Sequence, residues 1–267
     1  MSDPATELLR RLRENVDARN PRPLALFSDF DGTLAPIAPT PAEAHILPQS
    51  REALRRLALA EGGRLLVGIL SGRPLAELAE KLPLPGALLA GNHGLEIATP
   101  AGTFIHPQAR LARPELDRLK TELEPELDRF PGAWIEDKGF GLAVHYRQLA
   151  PDLRDALASA VMDSVRGFSL SHLTRGRCVW ELRPAIDWNK GKALGHMLEV
   201  AVAPPHTLTM YFGDDTTDED AFRAVNERGG LSVLVREDQV ESCSAHRLAS
   251  PAEVADFLSQ LALLYNE

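Results

Sequence analysis

The sequence predicts an α/β fold: a Rossmann-like parallel-sheet core carrying an inserted α+β domain. Three observations predict it. Apolar runs at 24–27, 65–70 and 208–212 lead straight into polar clusters at 29–33, 71–73 and 213–220. A short apolar run bounded by turn residues is the mark of a buried strand. Strand, loop and helix patterns alternate up to about residue 105 and resume from about 185, as a parallel sheet with crossover helices requires. Between them the order becomes helix-strand-strand, twice over, which is that of an antiparallel α+β unit. We therefore expect a core of residues 1–105 and 185–267, and an inserted αββαββ domain at 106–184.

Each element follows from a local pattern. Leu8, Leu9, Leu12 and Val16 share one helical face within 5–17, and Pro21 and Pro23 end it. After the strand at 24–27 comes a loop with Pro36, Pro39, Pro41 and Pro48, then a helix at 49–60. Pro74, just past the strand at 65–70, suits the first turn of a helix. Short strands are expected at 87–90 and 95–98. In the middle, Leu116, Leu119, Leu123 and Leu127 mark a helix starting near Pro114, and 133–136 with 140–146 form a hairpin pair. Leu153, Leu157, Val161 and Val165 mark a second helix, followed by strands at 168–173 and 178–182. The core resumes with a helix at 190–200, the strand at 208–212 and a helix opening in the cluster at 213–220. A final strand at 231–235 and an amphipathic helix through Val254, Phe257, Leu258 and Leu261 close the chain.

Composition narrows the function. The hydrophobic fraction of 44% is that of a soluble globular protein. A net charge of -9 argues against sequence-independent nucleic-acid binding, which needs phosphate-neutralising Lys and Arg. The first residues lack the apolar stretch of a signal peptide, and no run approaches the length of a membrane span. Cys178 and Cys243 have no metal-type spacing, so two reduced thiols in a cytoplasmic protein are expected. The oligomeric state is not fixed by the sequence, with a monomer the default expectation.

The three polar clusters share a consequence. In a parallel sheet the carboxyl ends of the strands lie along one edge, where ligand crevices form. Asp29, Asp31, Asp214, Asp215 and Asp218 would then crowd one crevice. Close carboxylates repel strongly in a low dielectric. A hard divalent cation relieves this, and an all-oxygen site with waters and a substrate phosphate is what magnesium prefers. For Asp218 a helix cap explains the residue as well. Asp29 directly follows a buried strand and needs a compensating partner. A carboxylate there can attack phosphorus, and a second carboxyl group can pass protons to the leaving oxygen and from water. Asp29 and Asp31 are two apart, so both can address one crevice while Phe30 points away. Gly32 lets the backbone approach a phosphate, and its N–H can donate to a phosphoryl oxygen. Ser71, with Gly72 beside it, offers a hydroxyl and backbone donors. Lys190, at a helix start, offers a positive charge. Alone, Ser71 is an ordinary cap and Lys190 an ordinary surface lysine; together with the carboxylates they form a phosphoryl-transfer set.

In this order the clusters resemble the motifs of the haloacid dehalogenase superfamily. Its Asp-x-Asp-Gly-Thr is Asp29-Phe30-Asp31-Gly32-Thr33, its strand-terminal Ser or Thr is Ser71, its Lys is Lys190, and its acidic strand end is Gly213-Asp214-Asp215. The resemblance implies Asp29 as nucleophile and Asp31 as general acid/base, with Ser71 and Lys190 completing the catalytic set. It implies magnesium held by the Asp29 carboxylate, the Asp31 backbone carbonyl and Asp214, and residues 106–184 as a cap closing over the substrate. In the superfamily's ion-pumping ATPases a Thr stands at the second acidic position; Asp31 favours a phosphatase or phosphomutase.

Further motifs resemble the trehalose-6-phosphate phosphatase family over most of 24–223. They are Gly-Asn-His-Gly-Leu-Glu at 91–96, Lys138 with His145-Tyr146-Arg147, Glu181-Leu182-Arg183-Pro184, Asn189-Lys190-Gly191, and Gly-Asp-Asp-Thr-Thr-Asp-Glu at 213–219. That resemblance implies a small sugar phosphate as partner, bound by Gly32, Arg73, His93, Glu136, Lys138, His145, Arg147, Glu181 and Arg183. The middle residues make physical sense in that role, because a disaccharide phosphate presents many hydroxyls that need paired donors and acceptors. Glu136 and Lys138 are two apart, as are His145 and Arg147, so each pair would share a sheet face. Cross-strand ion pairs on a solvated face explain them too. Sucrose-phosphate phosphatases and phosphomannomutases share the core plan, and a silent sugar-phosphate sensor is the reading from another class.

Overall fold

The computed structural model describes residues 4–60, 65–99, 102–168, 171–176 and 178–266. The chain divides into two compact units, Met1–Thr103 with Trp188–Glu267, and Phe104–Asp187. In chain order the elements are α1 (Pro4–Val16), β1 (Leu24–Ser28), α2 (Pro48–Ala58), β2 (Leu65–Leu70), α3 (Leu75–Lys81), β3 (Leu88–Gly91), β4 (Glu96–Thr99) and β5 (Gly102–Ile105). Then come α4 (Pro107–Leu127), β6 (Trp134–Asp137), β7 (Leu142–His145), α5 (Arg154–Val165), β8 (Ser171–Gly176) and β9 (Val179–Pro184). The last are α6 (Lys190–Val200), β10 (Leu208–Gly213), α7 (Glu219–Glu227), β11 (Leu231–Val235), β12 (His246–Leu248) and α8 (Pro251–Asn266).

The first unit is built on a sheet of order β12-β11-β10-β1-β2-β3-β4-β5. It is parallel from β12 to β3, and β4 runs antiparallel to β3. All five residues of β1 are buried, as a strand covered on both faces must be. Alternate residues serve opposite faces. Leu24 and Leu26 join Val67, Ile69, Met210 and Phe212 against Leu54 and Leu57 of α2 and Phe257 and Leu261 of α8. On the other face Phe27 packs so closely on β2 that a Cβ at Gly68 would lie 2.4 Å from its ring. Among the described residues no helix is long and apolar enough to cross a membrane.

The second unit is a four-stranded sheet of order β6-β7-β9-β8, each neighbouring pair antiparallel. Leu142, Val144 and Leu182 on one face pack with Leu116, Leu119, Leu123, Leu157 and Val161 of α4 and α5. The register places Trp134, Glu136, Ala143, His145 and Glu181 on the opposite face.

The α/β core with an α+β insertion is the architecture expected, and the differences are local. The helix expected from Pro114 starts at Pro107, and Pro114 lies inside it. The buried stripe extends back through Ala109 and Ala112, whose small side chains give a weak periodic signal. The chain does not end its sheet at β11: β12 adds three residues, of which only Leu248 is buried, so no apolar run announced it. Of the strand expected at 168–173, residues 169 and 170 lie outside the described residues, and the observed strand is β8.

Candidate active site

β1 lies between β2 and β10, with Ser28 level with Ile69 on one side and Phe212 on the other. The carboxyl ends of these three strands deliver Asp29, Ser71 and Asp214 to one edge, at the point where the strand order reverses. The N–H of Asp29 still donates to the Phe212 carbonyl at 2.8 Å, so the ladder fixes the backbone of Asp29. Its side chain is buried.

Beyond Asp29 the chain folds into a tight turn. Leu34 and Ala35 donate to the Phe30 carbonyl, and Gly32 donates to the Ala35 carbonyl at 2.8 Å. Gly32 was expected to offer that N–H to a phosphate; the turn uses it internally. Its role is conformational. Its φ is +80°, and a Cβ there would lie 2.1 Å from Oδ2 of Asp214. The missing side chain is what admits the Asp214 carboxylate beside the turn.

Lys190 opens α6, which Asn189 caps by accepting the Lys192 N–H at 2.9 Å. The Lys190 side chain is buried, with Nζ 3.1 Å from Oδ1 of Asp29 and 2.6 Å from Oδ1 of Asp218. Tyr211 donates its hydroxyl to the same Asp218 oxygen at 2.6 Å. The second Asp218 oxygen accepts the backbone N–H groups of Asp214 and Asp215 at 3.1 and 3.0 Å. Asp218 is thus fully buried and fully engaged: it holds the loop that carries Asp214 and anchors Lys190.

Carboxylate oxygens of Asp29, Asp214 and Asp218 lie within 4.8 Å of one another. Burial pushes the Asp29 carboxyl well above its ordinary value; Lys190 opposes this, and Asp218, Asp214 and Asp31 add to it. Burial, with Asp218 beside it, pushes Asp214 up to about 7. Burial alone would depress Lys190, but Asp218 and Asp29 outweigh it and hold the ammonium above the usual lysine range. One cation against three carboxylates leaves a deficit that a divalent ion would fill. Because Asp218 is saturated by its four donors, Asp29 and Asp214 are the carboxylates with capacity to ligate. This donor set of hard oxygens, with the cradle at Gly32, fits such an ion.

The second polar cluster is tied to β3 and the turn that follows it. Ser71 is buried, and its N–H donates to the Ala90 carbonyl at 2.9 Å. Its hydroxyl accepts the Arg73 N–H at 3.2 Å, which leaves the O–H as a donor. His93 donates its N–H to the Ser71 carbonyl, and Asn92 to that of Arg73. Both residues are left-handed, at φ 56° and 49°, a strained conformation for side chains of this size. Glu96 secures the arrangement, accepting from Asn92 Nδ2 at 2.5 Å and from the N–H of Leu75 at 3.3 Å. The 91–96 motif is therefore a backbone clamp on the 71–73 loop. It brings the His93 ring against Gly72.

Arg73, expected to bind substrate, is turned onto protein carboxylates. Nε and Nη2 donate to Oδ2 and Oδ1 of Asp31 at 2.7 and 2.6 Å, and Nη1 pairs with Glu77. The reason is burial: an arginine at 6% exposure needs its partners at hand. Asp31 directs its carboxylate to Arg73, and that carboxylate lies outside the cluster of Asp29, Asp214 and Asp218.

In the second unit, His145 Nε2 lies 2.7 Å from Glu136 Oε2, and Trp134 stacks on the His145 ring at 4.2 Å. Lys138 donates to Glu181 at 3.0 Å, and Arg183 lies 3.8 Å from the same carboxylate. Arg147 departs from expectation: β7 ends at His145, and Arg147 sits in the exposed turn beyond it. Glu77 and Tyr211 were not singled out from sequence. Asp218 was named there, with a cap explaining it equally well.

A parallel sheet whose central strand ends in a buried carboxylate, beside a lysine and a second acidic strand end, defines the haloacid dehalogenase class of α/β cores. The chain belongs to the trehalose-phosphatase family, whose model matches residues 27–253. It is 41% identical over 258 residues to a trehalose-phosphate phosphatase of Mycobacterium tuberculosis H37Rv, covering 94% of this chain and 63% of that one. Against the trehalose-phosphate phosphatase of Mycobacterium leprae, identity is 39% over 263 residues, covering 94% and 59%. The chain thus spans less than two thirds of the length of these relatives. Among solved structures, the C-terminal domain of Candida albicans trehalose-6-phosphate phosphatase shares the fold, with TM-score 0.78, 24% identity, and coverage of 97% and 96%.

Proposed function

We propose that this protein is a magnesium-dependent phosphatase that hydrolyses trehalose 6-phosphate to trehalose and phosphate. The observation that carries the reading is the buried Asp29 carboxylate, 3.1 Å from the Lys190 ammonium at the carboxyl end of the central strand. Family membership and the two mycobacterial relatives support the substrate.

In this reading an Asp29 oxygen attacks phosphorus, the bond from phosphorus to the sugar oxygen breaks, and Asp31 gives that oxygen its proton. Asp31 then takes a proton from water as the water attacks the aspartyl-phosphate, freeing Asp29 and inorganic phosphate. Lys190 favours the ionised form of Asp29 and neutralises the transferring group, and the Ser71 hydroxyl donates to it. Asp29, Asp214 and the Asp31 backbone carbonyl are the groups assigned to magnesium, which supplies charge neutralisation for the phosphoryl oxygens. Sugar selection is assigned to residues 106–184, whose open sheet face offers Glu136, Lys138, His145, Glu181 and Arg183. The free thiols Cys178 and Cys243 support a cytoplasmic setting.

The test is phosphate release with magnesium from trehalose 6-phosphate, sucrose 6-phosphate and glucose 6-phosphate, with no bisphosphate activator present. Strong preference for trehalose 6-phosphate is expected. Equal rates on all three would overturn the substrate assignment, and dependence on an activator would point to a mutase.

A further inference from the structure

We propose that Glu77, acting through Arg73, is the positioning residue for Asp31. The inference rests on the reading of Asp31 as the proton-transfer group and adds a residue to it.

Asp31 is a partly exposed carboxylate, its side chain 35% accessible, yet both its oxygens are held by one guanidinium. A bidentate fork fixes the plane as well as the position of a carboxylate, which a lysine cannot do. The fork in turn needs fixing, and the surroundings of Arg73 supply it. Nη2 also donates to the Pro41 carbonyl at 2.8 Å, and the guanidinium carbon lies 5.3 Å from the centre of the Phe30 ring. Nη1 is taken by Glu77, one turn further along the chain on α3. Four of the five N–H donors are thereby used, so Arg73 has little left to offer a substrate. Three segments meet on this one side chain: the turn after β1, the proline loop before α2, and α3. Of the carboxylates involved, Glu77 plays no part in the chemistry. It balances the guanidinium from the side opposite Asp31 and sets the direction in which the fork points.

The chemistry offers a readout that a purely structural role would not move. Leaving-group protonation matters for a sugar alkoxide and little for p-nitrophenolate, whereas nucleophilic attack by Asp29 is common to both. Glu77→Ala and Arg73→Gln are made in the full chain and assayed with magnesium, enzyme in excess over trehalose 6-phosphate for a single turnover. The p-nitrophenolate burst from p-nitrophenyl phosphate is measured in parallel. Glu77 is 30% exposed on a helix surface, so its variant should fold even if Arg73→Gln does not. Glu77→Ala is expected to slow the sugar-phosphate turnover by roughly tenfold or more, as loss of a supporting contact around a reactive group does. Arg73→Gln is expected to slow it by about a hundredfold, the lower range for general acid catalysis. The burst should keep its wild-type rate in Glu77→Ala. Equal slowing of burst and sugar-phosphate turnover, or a Glu77→Ala enzyme with the wild-type rate on the sugar phosphate, overturns the proposal. Failure of the underlying reading looks different: the wild-type enzyme itself then leaves trehalose 6-phosphate uncleaved, whatever its rate on p-nitrophenyl phosphate.

Discussion

The ammonium of Lys190 lies 2.6 Å from Oδ1 of Asp218, and both side chains are buried. With Asp29 3.1 Å away on the other side, this one cation compensates two carboxylates. Lys190→Ala leaves both uncompensated in the interior, which costs about 3–5 kcal/mol when a buried pair is broken. Urea unfolding in the presence of a chelator should show a loss of that order together with loss of phosphatase turnover. An unchanged midpoint would mean that solvent or a neighbour replaces the ammonium.

Asp29→Asn separates chemistry from stability. Removing the nucleophile is expected to reduce kcat by at least ~10⁴-fold. Because the neutral form of Asp29 is favoured by burial, the substitution also removes a charge that the metal-free fold disfavours. The variant should therefore be no less stable than wild type in the presence of a chelator. Residual turnover, with contaminating phosphatase excluded, would contradict the nucleophile assignment.

The position of Asp214 gives stability a pH signature. Its folded pKa, about 7, stands above the ordinary 3.8, so the metal-free fold gains stability from holding this proton. That gain is complete below about 4 and is lost as pH rises to about 7. A cation that binds the ionised carboxylate competes with the proton. Magnesium should therefore raise the Tm of chelator-stripped protein little near ~pH 5 and substantially near ~pH 8. Thermal melts with and without magnesium at both pH values test this, and equal shifts would count against Asp214 as a ligand.

Gly32→Ala should act on the metal as well as on the backbone. A φ of +80° disfavours any L side chain by about 1–2 kcal/mol. The added Cβ would also displace the Asp214 carboxylate, only 2.1 Å from it. The half-saturating magnesium concentration for phosphate release should rise. Loss of stability with an unchanged magnesium requirement would separate the turn from the metal.

Glu181→Gln tests the second unit. Glu181 gathers Lys138 and Arg183, and hydrogen bonds to charged groups are worth about 1.5–3 kcal/mol. If this face selects the sugar, KM for trehalose 6-phosphate should rise roughly 10–100-fold while the rate on p-nitrophenyl phosphate holds, the same interval expressed as affinity. A parallel fall on both substrates would point to a folding defect.

What the sequence determined by itself was whatever is written locally. Apolar runs ending in Asp29, Ser71 and Asp214 declare strands, because a buried strand leaves a continuous apolar trace. Lys190 at a helix start is legible from the cap residue before it. Tertiary structure alone decided the partners. Arg73 reads as a substrate ligand until the fold sets it against Asp31, 42 residues away. Asp218 reads as a cap, and it does close a capping box with Asp215, but only the fold brings Lys190, 28 residues away, and Tyr211 onto it as well. Gly32 reads as a phosphate donor until the turn claims its N–H. The physical reason is common to all three: a polar group's role is set by the nearest partner after burial, and proximity across strands is a property of the sheet order.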